Sequence, residues 1–285
     1  MSQRALSFGA VAAAYERFRP GYPDEVVGLV LAYAGRPVRT ALEIGAGTGK
    51  ATRLFVRTGV AVTATDPDAA MLSELRKQVP DTLTTMQAAF EDLPLTPAYD
   101  LVFAAASLHW TRPEGRWERV AGMLAPAGIF ASFGGQRELA EPEVRDRVET
   151  VRSTYLQDDD IPSPDGTPPD SPMQWPGTEL AASTLFVDVR QSTLERRTIM
   201  SADEYVGHLS TVSAYLQLPE PIRREALDAI REVLPPRVEM VGDLQLHLAR
   251  LGAYGHDPQR ADLSLRRAWR PGRSSGAVGR RARPG

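Results

Sequence analysis

The chain has 285 residues, 24% of them charged, with a formal net charge of −3 at pH 7 and no cysteine. This length suits one large α/β domain with a modest insertion. The absence of cysteine excludes a disulfide framework and a thiolate metal site, and the four scattered histidines lead us to expect no metal centre. No apolar run has the length of a membrane span and no apolar signal region opens the chain, so we expect a cytoplasmic protein without membrane partners. We expect it to be a monomer or a homodimer.

The charge is unevenly distributed along the chain. Residues 255–285 hold eight arginines and two aspartates, a net charge of +6, which leaves −9 for residues 1–254. An acidic body is unsuited to nucleic acid, whose phosphates require a basic groove. We therefore expect no nucleic-acid partner for the body. The Arg-rich tail, residues 251–285, lacks periodicity, and we expect it to be disordered.

Apolar runs of strand length alternate with helical patterns after a helical segment over 1–35. The alternation predicts an α/β fold with a mainly parallel sheet and helices on both faces. The clearest helix covers 68–78, with Pro67 setting its start. Strands are predicted at 40–45, 60–65, 83–88, 100–105 and 128–133.

The pattern changes after Gly135, where an insertion over 136–186 is predicted. It begins with a helical segment, 136–157, and continues with a loop or lid, 158–178, that has three consecutive aspartates and six prolines. Residues 187–250 then resume regular structure and complete the sheet. The predicted elements are a strand at 187–198, a helix opened by the capping box Ser201–Glu204 and running to about Leu216, a helix at 220–234 and a strand at 238–248.

Three alternating glycines, Gly45, Gly47 and Gly49, follow the apolar stretch 40–44 and precede an amphipathic segment. This is the strand, tight turn and helix start of a nucleotide-type cofactor site. Glycine suits such a turn because it permits positive φ and lets a ligand approach the backbone. Asp66 ends the next apolar run, 21 residues after Gly45, where a carboxylate can accept both ribose hydroxyls of an adenosine.

The spacing of this loop separates three classes of cofactor. A dinucleotide fingerprint requires a glycine where Lys50 stands, and a P-loop requires one more residue before its Gly-Lys pair and Ser or Thr in place of Ala51. Glu43, two positions before the first glycine, would repel a pyrophosphate but attract a ligand with an ammonium and a sulfonium. S-adenosylmethionine carries both groups, and the loop therefore predicts it as the cofactor.

Several motifs resemble those of class I S-adenosylmethionine-dependent methyltransferases and occur in the same order. They are Glu43-Ile-Gly-Ala-Gly-Thr-Gly, Asp66-Pro-Asp, Phe90-Glu-Asp-Leu-Pro and Tyr99-Asp-Leu-Val-Phe. The segments Phe8 to Tyr15, Arg19-Pro-Gly-Tyr22-Pro and Leu108-His-Trp110 resemble the type 11 small-molecule branch, which includes trans-aconitate methyltransferases. The resemblance covers about residues 6–250. It implies a Rossmann-like fold with a seven-stranded, mostly parallel sheet, an antiparallel last strand, a core over 36–135 and N-terminal cap helices.

The resemblance also implies roles for individual residues on the cofactor side. Glu43 would bind the methionyl ammonium, with helix capping as its alternative, and Asp66 would bind the ribose, with N-capping before Pro67 as its alternative. Phe90 and Glu91 would hold the adenine through their backbone amides and the Glu91 carboxylate, and the Ala105 carbonyl would lie near the methionine. The full set of expected cofactor contacts is Glu43, Gly45, Ala46, Gly47, Gly49, Asp66, Pro67, Met71, Phe90, Glu91 and Ala105.

The acceptor side is predicted less sharply. His109 lies just past the fourth strand, where ligands bind in such sheets, and it is either a general base or a hydrogen-bonding residue that moves no proton. Trp110 is expected to form a pocket wall. By resemblance, the segment with Tyr15, Arg19 and Tyr22 folds over the cofactor, and Arg19 pairs with a substrate carboxylate.

The sequence thus indicates a methyltransferase acting on a small-molecule O-, N- or C-nucleophile by in-line displacement. The protein would align the reactants and exclude water, and no metal would be required. One alternative is a non-catalytic S-adenosylmethionine-binding or regulatory protein. The other is a nicotinamide oxidoreductase, which Glu43 and Lys50 disfavour.

Overall fold

A computed structural model describes residues 8–79, 83–156 and 163–253 of the chain. These residues form one sheet of eight strands. In chain order the strands are β1 Thr40–Ile44, β2 Ala61–Asp66, β3 Thr84–Gln87, β4 Tyr99–Ala105, β5 Leu124–Gly134, β6 Glu138–Leu139, β7 Phe186–Ser201 and β8 Arg237–Leu251.

The sheet has the order β3-β2-β1-β4-β5-β8, and β7 pairs along the far edge of β8. Strands β1 to β5 are parallel, whereas β8 runs antiparallel to β5, β6 and β7. The mostly parallel sheet with an antiparallel last strand is therefore confirmed. All seven predicted strands are present, and β6 is a two-residue addition that the sequence pattern does not mark.

Ten α-helices surround this sheet in the described part of the chain. They are α1 Ala12–Phe18, α2 Glu25–Ala34, α3 Thr52–Val56, α4 Ala69–Arg76, α5 Arg116–Met123, α6 Pro142–Tyr155, α7 Gly177–Ala182, α8 Ala202–Leu209, α9 Ser213–Leu216 and α10 Glu220–Val233. Short 3₁₀ turns cover Gly9–Val11, Phe90–Asp92 and Leu108–Trp110.

Helix α4 corrects two expectations. Asp68 is its N-cap, because its side chain accepts hydrogen bonds from the backbone N–H groups of Ala70 (2.8 Å) and Met71 (3.4 Å). Pro67 therefore does not set the helix start, and Asp66 does not cap it. A carboxylate at this position satisfies backbone donors that the first helical turn leaves free.

Two further helices differ from the sequence pattern. The capping box of Ser201 and Glu204 is confirmed, but the helix that it opens ends at Leu209 and a separate turn, α9, follows. The Thr211 hydroxyl donates to the His208 carbonyl at 2.7 Å and so competes with continued helix. Helix α6 begins only at Pro142, because β6 occupies part of the segment predicted as helical.

Each face of the sheet has its own apolar core. On one face, α2 and α3 pack on rings from β4 and β5, and the Phe55 and Phe103 centroids lie 4.4 Å apart. On the other face, α5 covers Val102 and Phe130. Burial of such large apolar side chains stabilises the fold by about 1.5–3 kcal/mol each. The carboxyl ends of the central strands are therefore held on a rigid base.

Helices α1 and α8 lie against each other beside the carboxyl ends of the strands. Their contact depends on Gly207, where an added Cβ would lie 2.5 Å from the Phe18 ring. Part of the predicted insertion (157–162) and the tail from residue 254 lie outside the described residues, whereas Leu251, which the sequence analysis assigns to the tail, ends β8. In the part of the lid that is described, the Trp175 ring packs against the apolar core beside α5 and under the Arg116 guanidinium.

Candidate active site

The glycine loop connects β1 to α3 and has three residues with positive φ, at Gly45, Gly47 and Gly49. An added Cβ would lie 2.7 Å from the Ser107 Cβ at Gly45 and 2.7 Å from the Leu75 Cγ at Gly49. At Gly47 the nearest atom to such a Cβ is the Met71 Cε, at 3.4 Å. The outer glycines are thus required for packing, whereas Gly47 leaves its open side to a ligand.

Glu43 lies under this loop and is 1% exposed. Its Oε2 accepts a 2.5 Å hydrogen bond from the Thr52 hydroxyl at the start of α3. Burial raises the pKa of Glu43 to about 8, against the lowering effect of the Thr52 hydrogen bond, and the negative charge of Asp66 adds to the increase. This buried acid has no described salt bridge, so a cationic ligand nearby would stabilise its ionised form.

Asp66 ends β2 and reaches back to the glycine loop. Its Oδ2 accepts from the Gly47 N–H and its Oδ1 from the Asp68 N–H, both at 2.9 Å. Burial nevertheless raises its pKa to about 6. Because each carboxylate oxygen has two lone pairs, both can still accept a ligand hydroxyl. The Ala46 N–H donates to the Thr65 carbonyl and ties the loop to the same strand.

The predicted adenine-side residues form the 3₁₀ turn after β3. The Phe90 side chain is 5% exposed within the core, with the Arg119 guanidinium 5.6 Å from its ring centroid. The Glu91 Oε1 accepts from the Arg112 N–H at 2.7 Å. The Phe90 side chain is therefore occupied with packing, and its carbonyl oxygen accepts from the Arg119 Nε at 3.2 Å. Ala105 ends β4 at the same edge of the sheet.

Helix α1 is tied to both sides of this edge. The Glu16 Oε1 pairs with Arg53 at 2.9 Å and its Oε2 with Lys50 at 3.4 Å, which joins α1 to the glycine loop and α3. The Arg19 Nε and Nη2 each donate to Thr211 at 2.9 Å, which joins the end of α1 to the turn between α8 and α9. Tyr15 lies under the Arg19 guanidinium, 5.3 Å from ring centroid to Cζ.

Tyr22 occupies the centre of the edge. Its ring packs edge-on against Phe133 of β5 at 5.0 Å. Burial raises the pKa of its hydroxyl, and the charges of Tyr15 and Glu43 raise it further while Arg196 and Arg19 oppose them. The structure therefore brings the predicted residues Tyr15, Arg19 and Tyr22 together: the Arg19 guanidinium lies over the Tyr15 ring, and the charges of Arg19 and Glu43 both affect the Tyr22 hydroxyl.

His109 and Trp110 lie on the 3₁₀ turn after β4, at the same edge. Their ring centroids are 4.6 Å apart, and Trp110 also contacts the Phe8 ring at 6.0 Å in an edge-on arrangement. His109 is exposed and Trp110 is half-buried. The pair thus lies at the solvent-facing side of this edge, next to the N-terminal segment.

Three residues of this region were not anticipated from the sequence: Arg137, Arg196 and His208. Arg196 is 8% exposed, and the His208 Nδ1 is buried with no hydrogen-bond partner in the structure. No local motif marks them, because they come from three separate elements. The available signal was the alternation of β7, which puts Arg196 on the same face as the buried Leu194.

The described residues contain no group of three histidine or acidic side chains that could hold a metal ion. Within the same residues, none of the helices is both long enough and apolar enough to span a bilayer.

A parallel sheet of this order, with a glycine loop after β1 and an acid after β2, defines a Rossmann-like cofactor-binding domain. Residues 42–132 match the family model of a methyltransferase domain. An uncharacterised methyltransferase of Mycobacterium bovis is 31% identical over 231 residues, which cover 81% of this chain and 86% of that protein. A trans-aconitate 2-methyltransferase of Acidovorax is 32% identical over 122 residues, or 42% of this chain and 47% of the relative.

Among solved structures, a type II methyltransferase from Anaeromyxobacter dehalogenans has the same fold, with a TM-score of 0.56 and 21% identity over 82% of this chain and 98% of that one. The chain belongs to the class I S-adenosylmethionine-dependent methyltransferases. Its cofactor is S-adenosylmethionine, which the open side of Gly47 and the two buried acids, Glu43 and Asp66, fit.

Proposed function

We propose that this methyltransferase acts on a small-molecule acceptor through an O-, N- or C-nucleophile. The observation that carries the proposal is the cap: α1 is tied to the glycine loop through Glu16 and to the α8–α9 turn through Arg19. Tyr22, which follows this helix, is half-buried against the apolar core, and the charge of Glu43 contributes to the raised pKa of its hydroxyl. A region enclosed in this way suits a small acceptor, and it would restrict the approach of a macromolecule.

On the cofactor side, Glu43 would bind the methionyl ammonium and Asp66 the ribose hydroxyls. Gly45, Ala46, Gly47 and Gly49 would supply the backbone against which the cofactor lies, with Pro67 and Met71 beside it. Phe90 and Glu91 would contact the adenine through their backbone, and Ala105 would offer its carbonyl to the methionine.

When bound, the cofactor supplies a methyl group activated by a positively charged sulfur, which the acceptor takes by in-line displacement. The protein then has to hold the acceptor in line and keep water away. Tyr15, Arg19, Tyr22 and Trp110 would form the acceptor pocket. We assign His109 the role of general base, because it lies at the carboxyl edge with access to solvent and can release the acceptor's proton there.

The trans-aconitate 2-methyltransferase relatives support a small acceptor, since the name of those proteins specifies a small organic acid. The experiment that tests the proposal is calorimetry with S-adenosylmethionine and with NADH, followed by methyl transfer from labelled cofactor to a panel of carboxylates, phenols and amines. Binding of S-adenosylmethionine with transfer to one of these classes is expected. Binding without transfer to any acceptor would favour a regulatory protein, and binding of NADH alone would contradict the cofactor site.

A separate test addresses His109. His109→Ala is expected to lower turnover about 10²–10⁴-fold, as loss of a general base does, without changing cofactor affinity. The pH–rate profile should also lose one limb. A change confined to KM, with the profile retained, would instead give His109 a binding role.

A further inference from the structure

Two arginines lie beside each other past the carboxyl end of β5. Arg196 of β7 donates from Nη2 to the carbonyl oxygens of Gly135 (3.1 Å) and Asp243 (3.4 Å). Arg137 donates from Nη1 to the hydroxyl of Thr198 at 3.1 Å. Because Arg196 and Thr198 are two residues apart on β7, their side chains project from the same face of the strand. Both guanidinium groups therefore lie over that face.

The backbone brings the two arginines together through a close approach of two segments. An added Cβ at Gly135 would lie 2.0 Å from the Asp243 carbonyl oxygen, and one at Gly242 would lie 2.3 Å from the Gln136 carbonyl oxygen. The chain between β5 and β6 is thus pressed against β8, opposite Arg196 in the β7–β8 register. Only glycine permits this contact, and the contact fixes Arg137 in place.

The positive charges of this pair are not balanced by the described residues. The hydrogen-bond acceptors of both guanidinium groups are neutral oxygens, and the Nε of each is buried without a partner. Burial lowers the pKa of both side chains, and the charge of Arg137 lowers that of Arg196 further, while Asp243 opposes this only weakly. Arg196 is buried and Arg137 is half-buried, and a buried Nε–H without an acceptor is costly, so an anion placed beside it would reduce that cost.

The arginine pair lies next to the cofactor side of the site. The Tyr22 hydroxyl interacts electrostatically with Glu43 and also with Arg137 and Arg196. His208 lies within reach of the charge of Arg137, and burial together with Arg19 and Arg137 lowers its pKa to about 3, so it is neutral near pH 7. The two arginines thus lie near Tyr22, a residue of the proposed acceptor pocket, whose ring packs on Phe133 of β5 just before Gly135.

We propose that Arg137 and Arg196 bind an oxyanion of the acceptor, a carboxylate or a phosphate ester, through their unpaired Nε–H groups. The proposal rests on the proposed methyl transfer to a small molecule and specifies the class of acceptor. Guanidinium forks suit this role because they offer parallel donors to a planar or tetrahedral oxyanion and remain charged at working pH. Arg19 has fewer free donors for an oxyanion, since its Nε and Nη2 already donate to Thr211.

The test measures binding without turnover. Protein loaded with S-adenosylhomocysteine is melted with benzoate, succinate, citrate, phenyl phosphate and glycerol 3-phosphate, each beside its neutral amide or alcohol. At least one acid, and not its neutral counterpart, should raise the melting temperature. The carboxylate and phosphate arms show which oxyanion is bound.

Three variants sharpen this measurement. Arg137→Gln and Arg196→Gln should each weaken acid binding at least about tenfold, while Arg197→Gln should leave it unchanged, because Arg197 is exposed and paired with Glu195. If Arg196→Gln fails to fold, Arg137→Gln still tests the proposal. Of the hydrogen bonds in the described structure, Arg137→Gln removes the one to Thr198. Arg137→Lys should restore only part of the affinity, because it keeps the charge and loses the fork.

The outcomes separate the two proposals. If S-adenosylhomocysteine binds and no acid raises the melting temperature, or the two glutamine variants respond like the wild type, the oxyanion site is wrong and the cofactor site stands. If S-adenosylhomocysteine itself does not bind, the proposed function is contradicted. As a second readout, the KM for an acidic acceptor should rise in both glutamine variants while cofactor affinity stays within about twofold.

Discussion

The two halves of the candidate site carry opposite charge. The cofactor half, around β1 and β2, holds two buried acids, Glu43 and Asp66, whose pKa values burial raises to about 8 and about 6. The acceptor half, around β7 and β8, holds two arginines whose pKa values burial lowers. Tyr22 lies between them and interacts with both. In our proposals, the first half binds the cationic groups of the cofactor and the second binds an oxyanion of the acceptor.

The difference shows how one small pocket can bind two ligands without confusing them. A sulfonium and ammonium would be repelled by Arg137 and Arg196, and an acidic acceptor would be repelled by Glu43 and Asp66. In the free protein Glu43 keeps its proton up to about pH 8, so the cationic groups of the cofactor would favour its ionised form, whereas Arg137 and Arg196 keep charges that, in our proposal, the acceptor balances. Substitutions in the cofactor half test this separation, and the largest effect is expected at the glycine loop.

The cofactor half should lose almost all of its cofactor affinity when a side chain fills the open side of Gly47. Gly47→Val places a branched side chain where the loop leaves space, and we expect the cofactor-induced rise in melting temperature to disappear, with affinity down more than about 100-fold. At a hundredfold excess of cofactor over Kd, binding stabilises the native state of the wild type by about 2.7 kcal/mol, and the variant should lose this stabilisation. The control is Gly59→Val, which also has a positive φ and no atom within 4 Å of its Cβ. Equal losses in the two variants would show backbone strain alone.

A smaller effect should separate Asp66 from its neighbour Asp68. Asp66→Asn removes the charge at the predicted ribose contact, and we expect cofactor affinity to fall about 10-fold or more. Asp68→Ala removes only the cap of α4, which costs about 1 kcal/mol of stability, and it should leave affinity nearly unchanged. Calorimetric titration with a parallel melt measures both. If Asp68→Ala weakened the cofactor as much as Asp66→Asn, the assignment of Asp66 would be wrong.

The smallest effect is expected for Glu43→Gln, which should raise the stability of the ligand-free protein and lower its affinity for the cofactor. Its pKa is raised from 4.5 to about 8, so between these two pH values the folded protein keeps a proton that the unfolded chain releases. Stability from this group is therefore lost as pH rises through that window. Glu43→Gln cannot ionise, and we expect the ligand-free melting temperature at about pH 8 to rise by a few degrees, while at about pH 5 it stays close to the wild type.

The same variant should bind S-adenosylmethionine more weakly at the higher pH, since the partner of its ammonium is lost. Glu74→Gln serves as the control, because Glu74 is a buried acid paired with Lys77 away from the loop. A lower melting temperature for Glu43→Gln at the higher pH would contradict the expected direction, and unchanged cofactor affinity would remove Glu43 from the binding site.

The two halves also differ in what the sequence reveals. The glycine loop of the cofactor half is continuous in sequence. Gly45 to Gly49 lie between one strand and the helix that follows it, so the motif and its spacing are enough to predict the loop. The acceptor half is assembled from residues far apart, and Arg137 and Arg196 meet only because two glycine contacts press one segment onto β8. No local pattern contains that information.

Intermediate cases follow the same rule. The strands were predictable because alternation reports burial. The start of α4 and the end of α8, in contrast, depend on the hydrogen bonds of one side chain each, Asp68 and Thr211, which compete with other local arrangements. His109 lies at the sheet edge that its position after β4 predicts, but its chemistry depends on an acceptor.

The contact between His109 and Trp110 gives the site an optical signal. An imidazolium held against an indole ring makes a cation–π contact that a neutral imidazole lacks, and we expect the two states to differ in indole emission. Since the two rings lie 4.6 Å apart, Trp110 fluorescence should report the proton on His109 as pH changes. Trp117 and Trp175 pack in the core beside α5, so the difference between the wild type and Trp110→Phe isolates this emission. The protein thus carries a fluorophore next to the group proposed to move the proton.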